Sequence, residues 1–238
     1  MRLISLQKRL NVSNLFLSKG KFTQMNDFVD IIKGLIIPAE ATALSVSTGD
    51  GMWDYLVFVN NRSIKKIIAT DIVDNLVKSS DEVFLRNKGE WEFVKVQPES
   101  KFPFSDETFD LIFHQDVIEH VQNPFFFLKE QYRVLKKDGI LVLGTPNLFR
   151  PVNILKLLLG RLRFPVKIGS NEDIGDYVHI QEFYEQQMNV LLKEAGFGDI
   201  SVCHSFWGIS FLHLAFSKHP MGNLGKSMSH YLTFKVKK

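Results

Sequence analysis

The chain has 238 residues, 45% apolar and 23% charged, which excludes a mainly disordered protein and supplies enough apolar surface for a core without disulfides. Its 29 basic and 26 acidic residues leave a net charge of +3, well short of the basic excess needed to neutralise a nucleic-acid backbone, so no nucleic-acid partner is favoured. The single cysteine, Cys203, excludes an internal disulfide, and Phe dominates the aromatics with 21 residues against 5 Tyr and 3 Trp.

Residues 1–40 read as an N-terminal helical segment whose apolar runs are too short for a secretory signal or a spanning helix, which predicts a cytoplasmic protein. Five short apolar, β-branched runs follow, at about 42–47, 66–71, 91–96, 109–114 and 139–144. Amphipathic stretches separate them, as in a parallel sheet covered by helices. Asn123-Pro124 can cap and open a helix that carries Leu128, Tyr132 and Leu135 on one face and stops at Lys136 to Gly139. A second helix, at about 182–195, aligns Tyr184, Met188, Leu191 and Ala195 and ends at Gly196.

Between these helices, 148–181 forms an insertion or cap. In it Leu155, Leu158, Leu159 and Leu162 interleave with Arg150, Lys156, Arg161, Arg163 and Lys167. The favoured reading is a helix with a buried leucine face and a solvated basic face; the rival is a basic amphipathic lid making peripheral contact with an anionic membrane surface. A late insertion spans 205–229, and HYLTFKVKK alternates as a closing edge strand. Phe149, Phe164, Phe206, Phe211 and Phe216 fall in these later segments, which predicts an apolar cap over one sheet and a single elaborated domain over 1–238.

Chemistry concentrates at two strand ends. The first strand enters Thr48-Gly49-Asp50-Gly51, a turn where glycines permit positive φ and close approach of a ligand, and the next strand ends in Asp71, placed to hold a ribose. Asp54 stands where a dinucleotide fingerprint wants its third glycine, and carboxylates at Asp50 and Asp54 would oppose a pyrophosphate. A nicotinamide-dependent dehydrogenase is therefore disfavoured, and a cationic nucleoside suits the turn better. After the fourth strand, His114-Gln115-Asp116-Val117-Ile118-Glu119-His120 offers imidazoles and carboxylates where open α/β sheets bind ligands.

The segments ALSVSTGDG, IIATDIV and FPFSDETFDLIFHQDVIEHVQNPFFFLKEQYRVLKKDGILVLGTPN together resemble class I S-adenosylmethionine-dependent methyltransferases over about 42–147, with a looser match to about 197. The resemblance implies a Rossmann-like α/β three-layer sandwich with a seven-stranded, mostly parallel sheet whose last strand is antiparallel. It implies S-adenosyl-L-methionine as cofactor, with Ser47, Gly49, Asp50 and Gly51 at its methionine part, Asp71 at the ribose, and His114 and Gln115 facing the amino-acid end and the methyl. Ser45 and Ser47 stand where the family carries an acid and a glycine. Pro98 replaces an adenine-contacting Asp, which makes Glu99 the candidate for that contact.

The expected reaction is methyl transfer to oxygen of a small molecule or sugar, with His120 as general base and Asp116 as its orienter. The TPN turn and basic insertion are similar to methyltransferases of bacterial surface-glycan synthesis. The rival class is a non-catalytic module of the same fold. Asp116-x-x-Glu119-His120 can also present donors on one side of a helical turn, and His179 would complete a metal set; this reading ranks lower, and no metal is assigned. The sequence does not indicate an oligomeric state.

Overall fold

The computed structural model describes residues 24–74, 76–97, 99–171, 175–209, 214–217 and 222–238. Helix α1 (Gln24–Lys33) buries Phe28, Val29 and Ile32 on one stripe. It precedes β1 (Ala41–Val46), α2 (Met52–Asn60), β2 (Ile64–Asp71), α3 (Ser79–Arg86), β3 (Glu90–Lys95) and β4 (Phe109–Gln115), a regular alternation of strand and helix interrupted only by the loop after β3. A 3₁₀ turn at Ile118–His120 leads to α4 (Pro124–Val134), where Asn123 Oδ1 accepts the Phe126 N–H and Pro124 occupies the first turn. Strand β5 (Leu135–Pro146) follows directly.

The helix ends at Val134, earlier than Lys136 to Gly139, because Leu135 is already extended and pairs with Phe109. The basic run becomes an irregular start to β5, with Asp138 at φ 64°. Helix α5 (Pro151–Leu158) and the antiparallel hairpin β6 (Val166–Asn171) and β7 (Gly175–His179) stand outside the main sheet. Helix α6 (Glu185–Ala195) starts three residues later than the pattern predicts because Phe183 bridges to Asn147; Gly196, at φ 110°, ends it.

The remaining elements are β8 (Gly198–Ser205), a second hairpin of β9 (Trp207–Ile209) and β10 (Leu214–Ser217), α7 (Gly222–Ser227) and β11 (Tyr231–Lys237). The seven-stranded sheet has the order β3-β2-β1-β4-β5-β11-β8, parallel except for β11, which runs antiparallel to both of its neighbours. This is the seven-stranded Rossmann-like arrangement expected. Strand order reverses between β1 and β4, and in such sheets ligands bind beyond the strand ends at that crevice. One core layer packs α1, α2 and α3 on one face of the sheet and the other packs α4 and α6 on the opposite face.

Two expectations are corrected. Strand β11 is interior, not an edge: β8 flanks it and α1 lies against it, so Tyr231 and Thr233 are buried along with Leu232 and Phe234. Alternation in the chain could not show that its polar face would also be covered. The leucines of α5 are not buried either: Leu155 is 50% and Leu158 79% exposed, with Leu157 and Leu159 also open, and Asn153 is the buried residue of that helix.

The expected phenylalanine cap is described only in part. Phe149 stacks on Tyr184 at 4.9 Å and Phe206 leans on His230, whereas the Phe164 side chain is half-buried and those of Phe211 and Phe216 lie outside the described residues.

Candidate active site

A cavity of about 770 Å³ opens at the β1/β4 crevice. Ser47 and Gly49 line it from the β1 turn, Asp71 from the end of β2, Glu99 from the loop after β3, Asp116 and His120 from beyond β4, and His179 from the hairpin. A second recess, of about 820 Å³, lies against edge strand β8 and shares none of these residues.

The turn is shaped by backbone that only some residues tolerate. Gly51 has φ 80°, and a Cβ there would meet the Leu85 side chain at 2.8 Å. Ser47 adopts φ 57° where a glycine would be unstrained. Asp71 ties the turn to β2: its Oδ2 accepts the Gly49 N–H at 3.0 Å, and its Oδ1 accepts that of Ile72 at 2.8 Å. Burial pushes the Asp71 carboxyl up, against these donated hydrogen bonds.

Asp54 does not line the cavity. It is wholly buried, accepting from Ser45 Oγ at 2.6 Å, Thr48 Oγ1 at 2.7 Å and Trp91 Nε1 at 2.7 Å. Burial raises its pKa while those three bonds oppose the rise. Ser45, the departure from the family pattern, thus serves an internal brace. Asp50 is also outside the cavity lining, and its Oδ1 accepts the Met52 N–H at the start of α2. The objection to a pyrophosphate nevertheless stands on other residues: among the described residues lining the cavity there is no Lys or Arg, while Asp71, Glu99, Asp116 and Glu130 contribute carboxyl groups.

Glu99 reaches the cavity, but its carboxylate accepts the backbone N–H groups of Gln122 at 2.9 Å and Asn123 at 3.2 Å, so it braces the entry to α4. Pro98 lies outside the described residues. His114 and Gln115 are not in the lining either. His114 turns beneath α4, 3.3 Å from Gln131 Oε1, and burial pushes it down to about 4; Gln115 accepts the Tyr231 hydroxyl at 3.2 Å. A strand's alternation places one or the other side of each residue inward, but the helices on both faces bury both.

Asp116, at φ 55°, leaves β4 in a left-handed conformation and presents its carboxylate to the cavity, where Gln24 Nε2 donates at 2.9 Å. Burial pushes its carboxyl up to about 6, against the opposing hydrogen bonds of Tyr231 and Gln24 and the nearby His179 and Arg150. Glu119 is wholly buried, accepts Thr145 Oγ1 at 3.0 Å, and is pushed up to about 8 by burial and by Asp116. Its backbone carbonyl accepts the Ile180 N–H at 2.9 Å, which seats the hairpin's end beside the 3₁₀ turn.

The His120 and His179 rings meet edge to face at 4.9 Å. His120 Nδ1 lies 2.8 Å from the Val178 carbonyl, and His179 Nδ1 lies 2.8 Å from Glu182 Oε1. Burial lowers the His120 pKa. Burial of Glu182 is outweighed by His179 and Arg150, which hold its carboxyl below the usual range. This Glu182 brace and the Gln24 contact are not identified from the sequence. The His179 to Glu182 spacing is the signal that could have revealed the brace.

Residues 44–143 match the family model described as "Methyltransferase domain". A "Probable S-adenosylmethionine-dependent methyltransferase" of Mycobacterium tuberculosis is 28% identical over 46% of this chain; the match spans 34% of that relative, so the chain corresponds to about a third of its length. A "Ubiquinone/menaquinone biosynthesis C-methyltransferase" of Cronobacter sakazakii is 26% identical over 88% of this chain and 86% of its own. A solved structure from Thermotoga maritima, described as "SAM-dependent methyltransferase, possible histamine N-methyltransferase", superposes with a TM-score of 0.58 at 20% identity, covering 98% of both chains. With β11 antiparallel in the penultimate position, the glycine turn on Asp71 and no Lys or Arg among the described residues lining the cavity, these likenesses support a class I S-adenosylmethionine-dependent methyltransferase, with residues 44–143 as the matched methyltransferase domain.

Proposed function

We propose that the chain transfers a methyl group from S-adenosylmethionine to the oxygen of a small, largely apolar acceptor that carries an ionisable hydroxyl. The observation that carries this reading is the continuity of one cavity from Ser47, Gly49 and Asp71 to Asp116 and His120. The carboxylate of Asp71 suits ribose hydroxyls, and Ile72, Leu76 and Val96 offer apolar walls to a base. The cofactor would supply an electrophilic methyl on a sulfonium; the protein's work is to hold the acceptor in line with it and accept a proton.

Asp116 is better suited than His120 to accept that proton. Its raised pKa brings its basicity closer to neutral pH, whereas burial weakens His120 as a base. This exchanges the two roles expected from the sequence. Phe126, Phe127, Val117, Val121 and Ile168 on the far wall favour an apolar body over the polyhydroxylated face of a sugar.

A second reading, methylation at carbon, is favoured by the name of the Cronobacter relative that spans most of the chain. An ionised phenol-type hydroxyl serves both, because its charge is shared between oxygen and ring carbon. The exposed leucines of α5 beside Lys156, Arg161, Arg163 and Lys167, with no Asp or Glu between 145 and 171, support delivery of such an acceptor from an anionic lipid surface.

Calorimetric titration with S-adenosylmethionine and S-adenosylhomocysteine tests the cofactor, and isotopic methyl transfer to phenolic acceptors with product analysis separates oxygen from carbon. Absence of cofactor binding by the folded protein would reject the enzymatic reading in favour of a non-catalytic module.

A further inference from the structure

Below the cavity, Glu119, His120 and His179 offer ligand atoms that all lie within 4.8 Å of one another, the one such three-residue cluster among the described residues. Three features distinguish it from a chance meeting of polar groups. The Val178 carbonyl can only accept, so His120 Nδ1 carries the proton of the neutral ring and Nε2 carries the lone pair. The Glu182 carboxylate fixes His179 in the same way, donating from Nδ1, and is itself held by Arg150 Nη2 at 2.7 Å and Asn153 Nδ2 at 2.7 Å. Finally, Glu119 Oε1 is fully buried without a hydrogen-bond partner, 4.0 Å from His179 Nε2. A buried carboxyl oxygen without a partner is costly, and native proteins rarely leave one without a reason.

Carboxylate-to-imidazole contacts on the nitrogen away from the ligand are the arrangement that orients histidines around metal ions. We propose that Glu119, His120 and His179 bind a divalent first-row transition-metal ion at the floor of the cavity, through Glu119 Oε1 and the two Nε2 atoms. Two imidazoles with one carboxylate suit zinc, iron(II), manganese or cobalt and leave coordination positions open. Ligand nitrogens stand about 2.0–2.1 Å from zinc, so the three groups draw together when the ion enters. His179 is carried on a hairpin that joins the 3₁₀ turn through the Glu119 carbonyl, which is the element able to close.

The existence of the site is independent of methyl transfer; only its use rests on that reading. There the open positions face the cavity and take the acceptor's hydroxyl oxygen, whose proton passes to Asp116.

The test uses the full chain stripped with a chelator, titrated with Co²⁺ by visible absorption and with Zn²⁺ and Mn²⁺ by calorimetry. The expected result is one ion per chain, with cobalt bands shifted from those of the hydrated ion. Glu182→Gln should weaken binding about 10- to 100-fold as an outer partner, with a larger loss in Glu119→Gln and His179→Asn. Failure of the stripped wild type to bind any of the three ions overturns the proposal, as does undiminished binding by folded Glu119→Gln and His179→Asn. If a variant does not fold, the stoichiometry and cobalt spectrum of the wild type decide. Cofactor titration of the same metal-free protein separates the two readings: cofactor binding without ion binding removes only the metal site, and ion binding without cofactor binding leaves the site standing and removes the methyl-transfer reading.

Discussion

At the scale of single residues, Asp71 and Ser47 shape the end of the cavity at the β1 turn, where the proposed reading seats the cofactor. Asp71 accepts the N–H of Gly49 in the turn and that of Ile72 after its own strand and keeps a face to the cavity, so Asp71→Ala should lower S-adenosylmethionine affinity by about 10- to 150-fold, the worth of about 1.5–3 kcal/mol for bonds to a charged group. Calorimetry on a variant with an unchanged melting curve checks this. Ser47 is strained at φ 57°, and Ser47→Gly should stabilise the fold by about 1 kcal/mol in urea unfolding. His114 makes the fold acid-sensitive. Burial lowers it from 6.5 to about 4, so between those values the unfolded chain binds the proton first and stability falls as pH falls. His114→Asn should flatten the fall below pH 6.5, read as the shift in urea midpoint across pH.

At the scale of elements, one buried carboxylate ties a helix to the turn. Asp54 on α2 accepts from β1, the turn and β3 at once, so Asp54→Ala leaves Ser45, Thr48 and Trp91 without their acceptor. Each orphaned donor costs about 1–3 kcal/mol, and the variant should lose several-fold more stability than Ala in an exposed helical position such as Lys129 and also lose cofactor binding. Spectroscopic melts and calorimetry read the two effects separately. The loop after β3 is fastened similarly: Arg133 on α4 donates to the Phe102 and Phe104 carbonyls and pairs with Glu130 and Asp106.

At the scale of the molecule, the sheet and the β6-β7 hairpin contribute different walls of the cavity. The sheet supplies Asp71 and Asp116 at the crevice where its order reverses, while the hairpin, outside the sheet, supplies His179. The leucines of α5 and the basic residues of α5 and its following loop are exposed. Leu157→Asp with Leu158→Asp should abolish co-sedimentation with vesicles of anionic phospholipid, with the melting temperature preserved because both side chains are already exposed. Equal vesicle binding by this variant would reject the lipid-surface route.

The strand pattern, the glycine turn, Asp71 and the Asn123-Pro124 helix start were legible in the amino-acid order because each depends on local sterics and periodicity. Asp116 and His120 were legible as candidates because they follow a buried strand at the end where such sheets bind ligands. Their relative roles were not, since basicity depends on how much protein surrounds each group. Only the tertiary structure showed that Asp54 turns inward, that β11 is covered on both sides, that His114 and Gln115 leave the cavity, and that His179 arrives beside Glu119 from 60 residues away. The physical reason is common to all four: local sequence sets which conformations are cheap, but which face meets water, a neighbouring helix or a charge depends on long-range packing.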